Sequence, residues 1–241
     1  MKIFKILMVM LILIMSVGAV CAAEDLSGDV ISGDGLNDLK ATQNDFYTSS
    51  GDSFTDLSEE INCSATDLNL VKDYTFDNET DSKTGILISK DNFVINGNGR
   101  TIDGAGQARI FNITGNNVTL RNLILVNGNS TSGGAIYVNQ TLTLINVTFI
   151  NNNATGYGGA VMFVNDVTLN CNNCRFIDNY ANAGSSLFVK EGELNLLNAE
   201  ITSKIFNKYA QITCFDKSRL YINNTTFFNC SASYAPAIYL R

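Results

Sequence analysis

The sequence predicts an all-β chain that coils into a right-handed parallel β-helix of about seven coils, each of roughly 25 residues. Two observations support this fold: short motifs recur at a fixed step from residue 68 onward, and three sets of apolar residues recur in phase with them. An antiparallel β-sandwich would also give short apolar strands, but it does not predict a constant step. A separate pattern upstream predicts a short helix that covers the first coil.

The first recurring motif is a pair of glycines followed by a short apolar strand. Gly133-Gly134-Ala135-Ile136-Tyr137-Val138 returns as Gly158-Gly159-Ala160-Val161-Met162-Phe163. We align Ala183-Gly184-Ser185-Ser186-Leu187-Phe188 as the third copy, at the same step of about 25 residues. Because glycine adopts backbone conformations that other residues avoid, Gly133, Gly134, Gly158 and Gly159 are predicted to form one corner of the coil.

The second motif alternates apolar and polar residues, as a half-buried strand does. Its copies are Val118-Thr119-Leu120, Leu142-Thr143-Leu144, Val167-Thr168-Leu169, Leu194-Asn195-Leu196 and Leu220-Tyr221-Ile222. We place two extra residues after Leu169, in the stretch that holds Cys171 and Cys174.

Asparagine follows this motif at one point of the coil, where a turn is needed. The members of this ladder are Asn122, Asn146, Asn198 and Asn224. Asparagine tolerates left-handed backbone conformations, and stacked amides can hydrogen-bond along the rod. A third apolar set then ends each coil: Leu125, Phe149, Phe176, Ile201 and Phe227.

The N-terminal region predicts three segments before the β-helix, which we assign to residues 68–241. Residues 1–23 combine two lysines, an apolar run and small residues, which is typical of a secretory signal peptide. Residues 24–53 are rich in small and polar residues, which predicts a flexible linker. Residues 54–67 form the capping segment, because Phe54, Leu57 and Ile61 have helical spacing and Ser53 with Asp56 resembles a capping box. The last repeat breaks off at Arg241, so we expect a rod truncated at its C-terminal end.

The charge and composition exclude several classes of function. The net charge is −7, and an acidic surface repels nucleic acid, so no nucleic-acid partner is expected. The chain contains no histidine, so it has no Ser-His-Asp triad and no imidazole acid or base. We predict no cofactor and no metal.

The cysteine pattern leaves several alternatives open. Cleavage after Ala23 removes Cys21 and leaves an odd number of cysteines, so at least one would be a free thiol or paired between chains. Cys171-x-x-Cys174 predicts a local disulfide or a buried thiol pair. A zinc site would need further ligands such as Cys214 or Cys230. Redox catalysis is disfavoured because no helix begins at Cys171 to lower its pKa.

Asn-x-Ser/Thr triplets are frequent, and in an exported chain each is a candidate glycan acceptor on a surface turn. Asn146 and Asn224 are disfavoured because they belong to the asparagine ladder. The candidate glycosylation sites are Asn78, Asn112, Asn117, Asn129, Asn139, Asn153, Asn223 and Asn229.

Several motifs resemble known β-helical families. The Gly-Gly-Ala motifs at 133 and 158, each followed by Phe-x-x-Asn (Phe149 to Asn152, Phe176 to Asn179), resemble the repeats of chlamydial polymorphic outer membrane proteins. The stretch 94–104 resembles the opening coil of pectate-lyase-like β-helices. Over roughly residues 54–241 the chain is similar to the adhesin-like surface proteins of methanogenic archaea.

This resemblance implies a non-enzymatic protein at the cell surface or outside the cell. Its expected partners are host-cell or microbial surface glycans or proteins, contacted through the flank of the rod. Membrane attachment would come only through an uncleaved signal or a missing C-terminal anchor. A structural spacer of the cell envelope is a further alternative.

A polysaccharide lyase or hydrolase is the main alternative from another class. Hydrolysis needs paired carboxylates, whereas Asp103, Asp166 and Asp178 are scattered one per coil. A lyase needs calcium-binding carboxylates and a basic residue, and Arg100, Arg109 and Arg121 lie near Asp103 in the sequence. We interpret these residues as solvated turn charges, and we therefore predict no catalytic residues.

Overall fold

A computed structural model describes residues 52–241, which form a parallel β-helix of about seven turns. The signal peptide and all of the predicted linker except Asp52 and Ser53 lie outside the described residues. The elements are α1 (Phe54–Cys63), β1 (Asp67–Asn69), β2 (Tyr74–Thr75), β3 (Ile86–Ile88), β4 (Val94–Asp103), β5 (Phe111–Ile113), β6 (Val118–Val126), β7 (Asn129–Ser132), β8 (Ile136–Val138), β9 (Leu142–Ile150), β10 (Asn153–Tyr157), β11 (Val161–Asn172), β12 (Arg175–Ile177), β13 (Tyr180–Ala183), β14 (Leu187–Leu197), β15 (Glu200–Thr202), β16 (Phe206–Asn207), β17 (Ile212–Phe215), β18 (Arg219–Asn223), β19 (Thr226–Phe228), β20 (Ser231–Ala232) and β21 (Ile238–Leu240). Within this range, no helix has the length and apolar character that a membrane span requires.

Each coil pairs with the next in parallel register, so equivalent side chains stack along the rod. β6 pairs with β9 so that Val118 lies beside Leu142 and Leu125 beside Phe149. The predicted third ladder continues from Phe149 to Phe176 and on to Ile201. The rings of Phe149 and Phe176 stack with centroids 4.9 Å apart. These inward residues are fully buried, and their stacking confirms the predicted core.

The asparagine ladder forms a corner of the coil, inside β6 and β9 and directly after β14 and β18. Asn122, Asn146, Asn198 and Asn224 all have a left-handed backbone, with φ between 47° and 54°. The Asn146 side-chain amide donates to Asn122 Oδ1 at 2.9 Å, and Asn224 donates to Asn198 at 2.7 Å. The prediction that asparagine both bends the chain and links successive coils is therefore confirmed at these positions.

The glycine corner is confirmed for the first two copies, but the alignment of the third was wrong. Gly133, Gly158 and Gly184 share φ values of 62°, 63° and 62°, and Val161 pairs with Leu187. Gly184, and not Ala183, is therefore the equivalent of Gly158. The step from Gly158 to Gly184 is therefore 26 residues, one more than the step from Gly133 to Gly158.

The two extra residues of β11 lie before Leu169, so the prediction that they follow Leu169 was wrong. Leu169 pairs with Leu142 and Cys171 with Leu144, while Phe176 pairs with Phe149, so no insertion follows Leu169. The register shifts between Val164 and Val167 instead. Asn165 and Asp166, in that segment, both have positive φ, which is typical of a bulge.

The helix α1 covers the N-terminal end of the rod, as the sequence predicts. Ser53 is its N-cap and forms a complete capping box with Asp56. Phe54, Leu57 and Ile61 are buried against the first coils, and the Phe54 ring meets the Phe76 ring edge-on at 5.7 Å. The helix therefore shields apolar residues that the first coil would otherwise expose.

Charged residues from the coils complete both ends of α1. Asp81 accepts hydrogen bonds from the backbone N–H groups of Phe54 at 2.9 Å and Thr55 at 2.8 Å. At the other end, the Lys90 ammonium donates to the carbonyl oxygens of Ile61 at 2.8 Å and Asn62 at 2.9 Å. A carboxylate at the N-terminus and a cation at the C-terminus both oppose the helix dipole.

Replacing Asp81 with asparagine is expected to destabilise the fold by about 1–2 kcal/mol at neutral pH, since a cap carboxylate is lost. Partial burial acts to raise the pKa of Asp81, but hydrogen bonds from Asp77, Thr55 and Phe54 hold that pKa below its ordinary value. A lowered pKa stabilises the fold above the unfolded pKa of about 4, and this contribution disappears as pH falls through the folded pKa.

Urea unfolding of wild type and Asp81→Asn between pH 7 and pH 3 measures this effect. The difference between the two proteins should shrink on acidification. Asp67→Asn is the control, because Asp67 is exposed and accepts a hydrogen bond from the hydroxyl of Thr66. An equal loss in both variants would contradict the assigned role of Asp81.

Candidate binding surface

One face of the rod carries a continuous series of aromatic side chains. In the outward column of β14, β17 and β21, Phe188 lies beside Thr213 and Thr213 beside Tyr239. Phe215 lies two residues after Thr213 on the same face, beside Lys190. Tyr157, at the end of β10, and Tyr209, between β16 and β17, complete the series. We call Tyr157, Phe188, Tyr209, Phe215 and Tyr239 the aromatic flank.

The rings of the aromatic flank contact one another along the rod. Centroid distances are 4.6 Å from Tyr157 to Phe188, 5.4 Å from Phe188 to Phe215 and 6.3 Å from Phe215 to Tyr239. Tyr209 lies 6.0 Å from Tyr239. These spacings fall within the range of favourable aromatic contacts, so the rings hold one another in place. Tyr157 nevertheless keeps 46% of its surface exposed.

Two clefts open between these rings. The first has a volume of about 360 Å³ and the second of about 390 Å³. Tyr157 and Phe215 line both clefts. The first is also lined by Gly156, Asn182, Ala183, Tyr209, Thr213, Tyr239 and Arg241, and the second by Met162, Phe188, Lys190 and Asp216. Such clefts, with aromatic walls and a few polar groups, are typical of small-ligand sites.

The charge at the flank differs from that of the whole chain. The net charge is −7, yet Arg241 is the charged side chain among the described residues that line the first cleft. Its guanidinium lies 5.6 Å from the Phe215 centroid, and the Lys208 ammonium lies 5.6 Å from the Tyr209 centroid. A cation over a ring face is electrostatically favourable, and these contacts position positive charge around the rings.

The predicted glycan acceptors differ in their accessibility. Asn78, Asn117, Asn223 and Asn229 are exposed, whereas Asn112, Asn129, Asn139 and Asn153 are half-buried. Two of the amide nitrogens are already engaged, because Asn117 donates to Asn92 Oδ1 at 2.8 Å and Asn129 to Gly106 O at 2.8 Å. Glycosylation stays a prediction, and the exposed Asn78, Asn223 and Asn229 are the sites that geometry favours most.

Cys171 and Cys174 are buried free thiols on the core side of the coil. Cys171 occupies a leucine position of the second ladder, so its sulfur replaces an apolar side chain. Burial, followed by the hydrogen bond with Cys174, raises the pKa of the Cys171 thiol. Burial also raises the pKa of Cys214 to about 11. Within residues 52–241, no three or more Cys, Asp or Glu side chains are grouped so that they could hold a metal ion.

Of the residues considered for the enzymatic alternative, Asp103, Asp178 and Arg109 hold turns and backbone together. Asp103 accepts from the N–H of Ala105 at 2.7 Å, and Asp178 from the N–H of Lys204 at 2.6 Å. The Arg109 guanidinium donates to the carbonyl oxygens of Gly133 and Ser132 in the next coil, at 3.1 and 2.9 Å. These contacts assign Arg109 to coil-to-coil stacking.

One pattern in the sequence could have predicted part of the aromatic flank. Once the inward residues of each copy are aligned, the residue between them points outward. In successive coils this position is Tyr137, Met162, Phe188, Thr213 and Tyr239. Tyr157 and Tyr209 belong to other segments and have no recurring spacing that would link them to these positions.

No protein-family model, curated protein or solved structure matches the chain.

Proposed function

We propose that this protein is a non-enzymatic, adhesin-like protein outside the cell that binds glycans through the aromatic flank. The observation that carries the proposal is the continuous series of rings from Tyr157 to Tyr239, with two clefts between them. The predicted export signal and the resemblance to adhesin-like surface proteins support a location at the cell surface. Glycans on host or microbial surfaces are the expected partners.

The chemistry of the flank suits a sugar ring. The C–H groups of one sugar face are apolar and stack on aromatic rings, while the hydroxyl groups need hydrogen-bond partners at the edge. Tyr157 and Phe215 offer ring surface, and Asn182 and Arg241 offer donors beside it. Because the rod is rigid and repetitive, several weak contacts can act together.

Replacing Tyr157 with alanine is expected to weaken glycan binding by about tenfold or more, since truncation of a central aromatic contact costs roughly 2 kcal/mol. A glycan array probed with the wild-type chain identifies the ligand, and titration calorimetry then measures both proteins. Tyr221→Ala is the matched control, because Tyr221 is 54% exposed on β18, away from the flank. Its affinity should equal that of wild type.

Circular dichroism of each variant confirms that the fold is intact. If no glycan binds wild type, or if Tyr157→Ala binds as tightly as wild type, the aromatic flank is not the binding site. Release of unsaturated or reducing sugar products from any glycan would overturn the non-enzymatic assignment.

A further inference from the structure

The two clefts of the aromatic flank share a wall. Tyr157 and Phe215 line both, so a group in one cleft lies next to a group in the other. A ligand that fills both clefts must therefore carry at least two groups, one on each side of Tyr157 and Phe215.

Each cleft contains one cation. Arg241 lines the first cleft, and Lys190 lines the second, where Asp216 is also present. The acidic remainder of the chain repels anions at long range, but this repulsion is screened beyond about 8 Å at physiological salt. In the second cleft Asp216 offsets the charge of Lys190, so the first cleft, beside Arg241, is the part of the flank that favours a negative group.

Thr213 supplies an independent sign of a polar ligand. It lines the first cleft and is 0% exposed, and its Oγ1 has no hydrogen-bond partner among residues 52–241. A buried hydroxyl group without a partner costs about 1–3 kcal/mol. Tyr239 is its neighbour in the outward column, so rotation of the Tyr239 side chain would open Thr213 to a sugar hydroxyl in the cleft.

We infer that the aromatic flank binds an acidic glycan of at least two sugar units, with one sugar ring in each cleft and an acidic group beside Arg241. This inference rests on the proposed function and adds the minimum length and the charge of the ligand. Carboxylate and sulfate groups present the same chemistry to Arg241, so either kind of acidic sugar satisfies the site.

Titration calorimetry of the full chain with three series of oligosaccharides tests this inference. The probes are alginate oligosaccharides, which carry carboxylates, chondroitin sulfate oligosaccharides, which also carry sulfates, and neutral chitin oligosaccharides. We expect affinity to rise about tenfold or more from a single sugar to a trisaccharide in an acidic series, because the second cleft is then filled. The neutral series should bind at least about tenfold more weakly, and added NaCl should weaken the acidic series.

Two variants locate the contacts. Thr213→Val keeps the shape of the side chain and removes the hydroxyl group, and it should weaken binding about fivefold or more, the cost of one hydrogen bond. Arg241→Gln should weaken acidic ligands and reduce the effect of NaCl. Lys204→Gln is the control, because Lys204 is exposed and outside both clefts, and it should leave the affinity unchanged.

Three results would overturn the inference. If a single sugar binds as tightly as a trisaccharide, the second cleft is not part of the site. If neutral chains bind as tightly as acidic ones, positive charge plays no part in binding. Either result leaves the glycan-binding proposal intact. A complete absence of glycan binding overturns both.

Discussion

Alanine in place of Gly159 is expected to destabilise the fold by on the order of 3 kcal/mol, as overpacking of a tight contact does. A β-carbon on Gly159 would lie 2.2 Å from the carbonyl oxygen of Ser185 and 2.5 Å from that of Tyr180. Both are backbone atoms of the adjacent coil, so no side chain can rotate to make room. The parallel hydrogen bonds above and below also hold the coils at a fixed spacing.

Gly99→Ala separates this clash from the general cost of replacing glycine. Gly99 has φ +80°, but a β-carbon there meets nothing within 4 Å. Its replacement should cost about 1 kcal/mol through backbone strain alone. Urea and thermal unfolding followed by circular dichroism measure both variants. Equal losses at the two positions would mean that the coils can move apart, contrary to the close contact at Gly159.

The sequence predicted the elements whose pattern is local. The spacing of Phe54, Leu57 and Ile61 determines the buried face of α1, and Ser53 determines its start. The apolar ladders were predicted because alternation within one strand already tells which residues face inward. The asparagine corner followed for the same reason, since the left-handed backbone at Asn122 is a property of the residue and its turn.

Features that depend on pairing between coils could not be predicted. Val167-x-Leu169 and Leu169-x-Cys171 both alternate, so either could continue the second ladder. The partner strands decide, and they place Cys171 beside Leu144 in the core. Leu was the expected residue at that position, and a buried cysteine is a smaller apolar substitute that a search for repeated leucines overlooks.

The aromatic flank was missed because its members come from different segments. Phe188 and Tyr239 occupy equivalent outward positions, but Tyr157 and Tyr209 approach them from neighbouring strands and loops. Outward positions carry no constraint from the core, so their residues show no simple period. The rod had to be built before these rings could be placed together.

The Phe-x-x-Asn motif proved to have a physical role that the sequence did not disclose. Asn152 and Asn179 are fully buried inside the coil. Asn152 accepts from the Gly128 N–H at 2.8 Å, and its amide donates to Leu125 O and Asn179 Oδ1, both at 3.0 Å. The amides thus satisfy backbone groups of the preceding coil that face away from water.

Replacing Asn152 with aspartate is therefore expected to destabilise the fold by about 3–5 kcal/mol at neutral pH, the cost of an uncompensated buried charge. The change is nearly isosteric, but the oxygen that replaces the amide nitrogen would face Leu125 O and Asn179 Oδ1, which are both acceptors. The loss comes from polarity and charge, because the volume of the side chain is almost unchanged.

The pH dependence distinguishes this cause from a packing defect. Burial and the two facing oxygens raise the folded pKa of the new carboxyl group above its unfolded value of about 4. The protonated group can donate one hydrogen bond, so the deficit relative to wild type is smallest below the unfolded pKa. It grows as pH rises toward the folded pKa, because the folded state then binds more protons than the unfolded state.

Asn151→Asp is the matched control for this experiment. Asn151 is the neighbouring residue, is exposed and has φ 54°, a conformation that aspartate also tolerates. Unfolding by urea between pH 4 and pH 8 should show a loss of less than about 0.5 kcal/mol for Asn151→Asp, as for most surface changes. A deficit in Asn152→Asp that stays constant with pH would contradict a buried charge. It would mean instead that the loss is a packing defect and that no buried charge forms at this position.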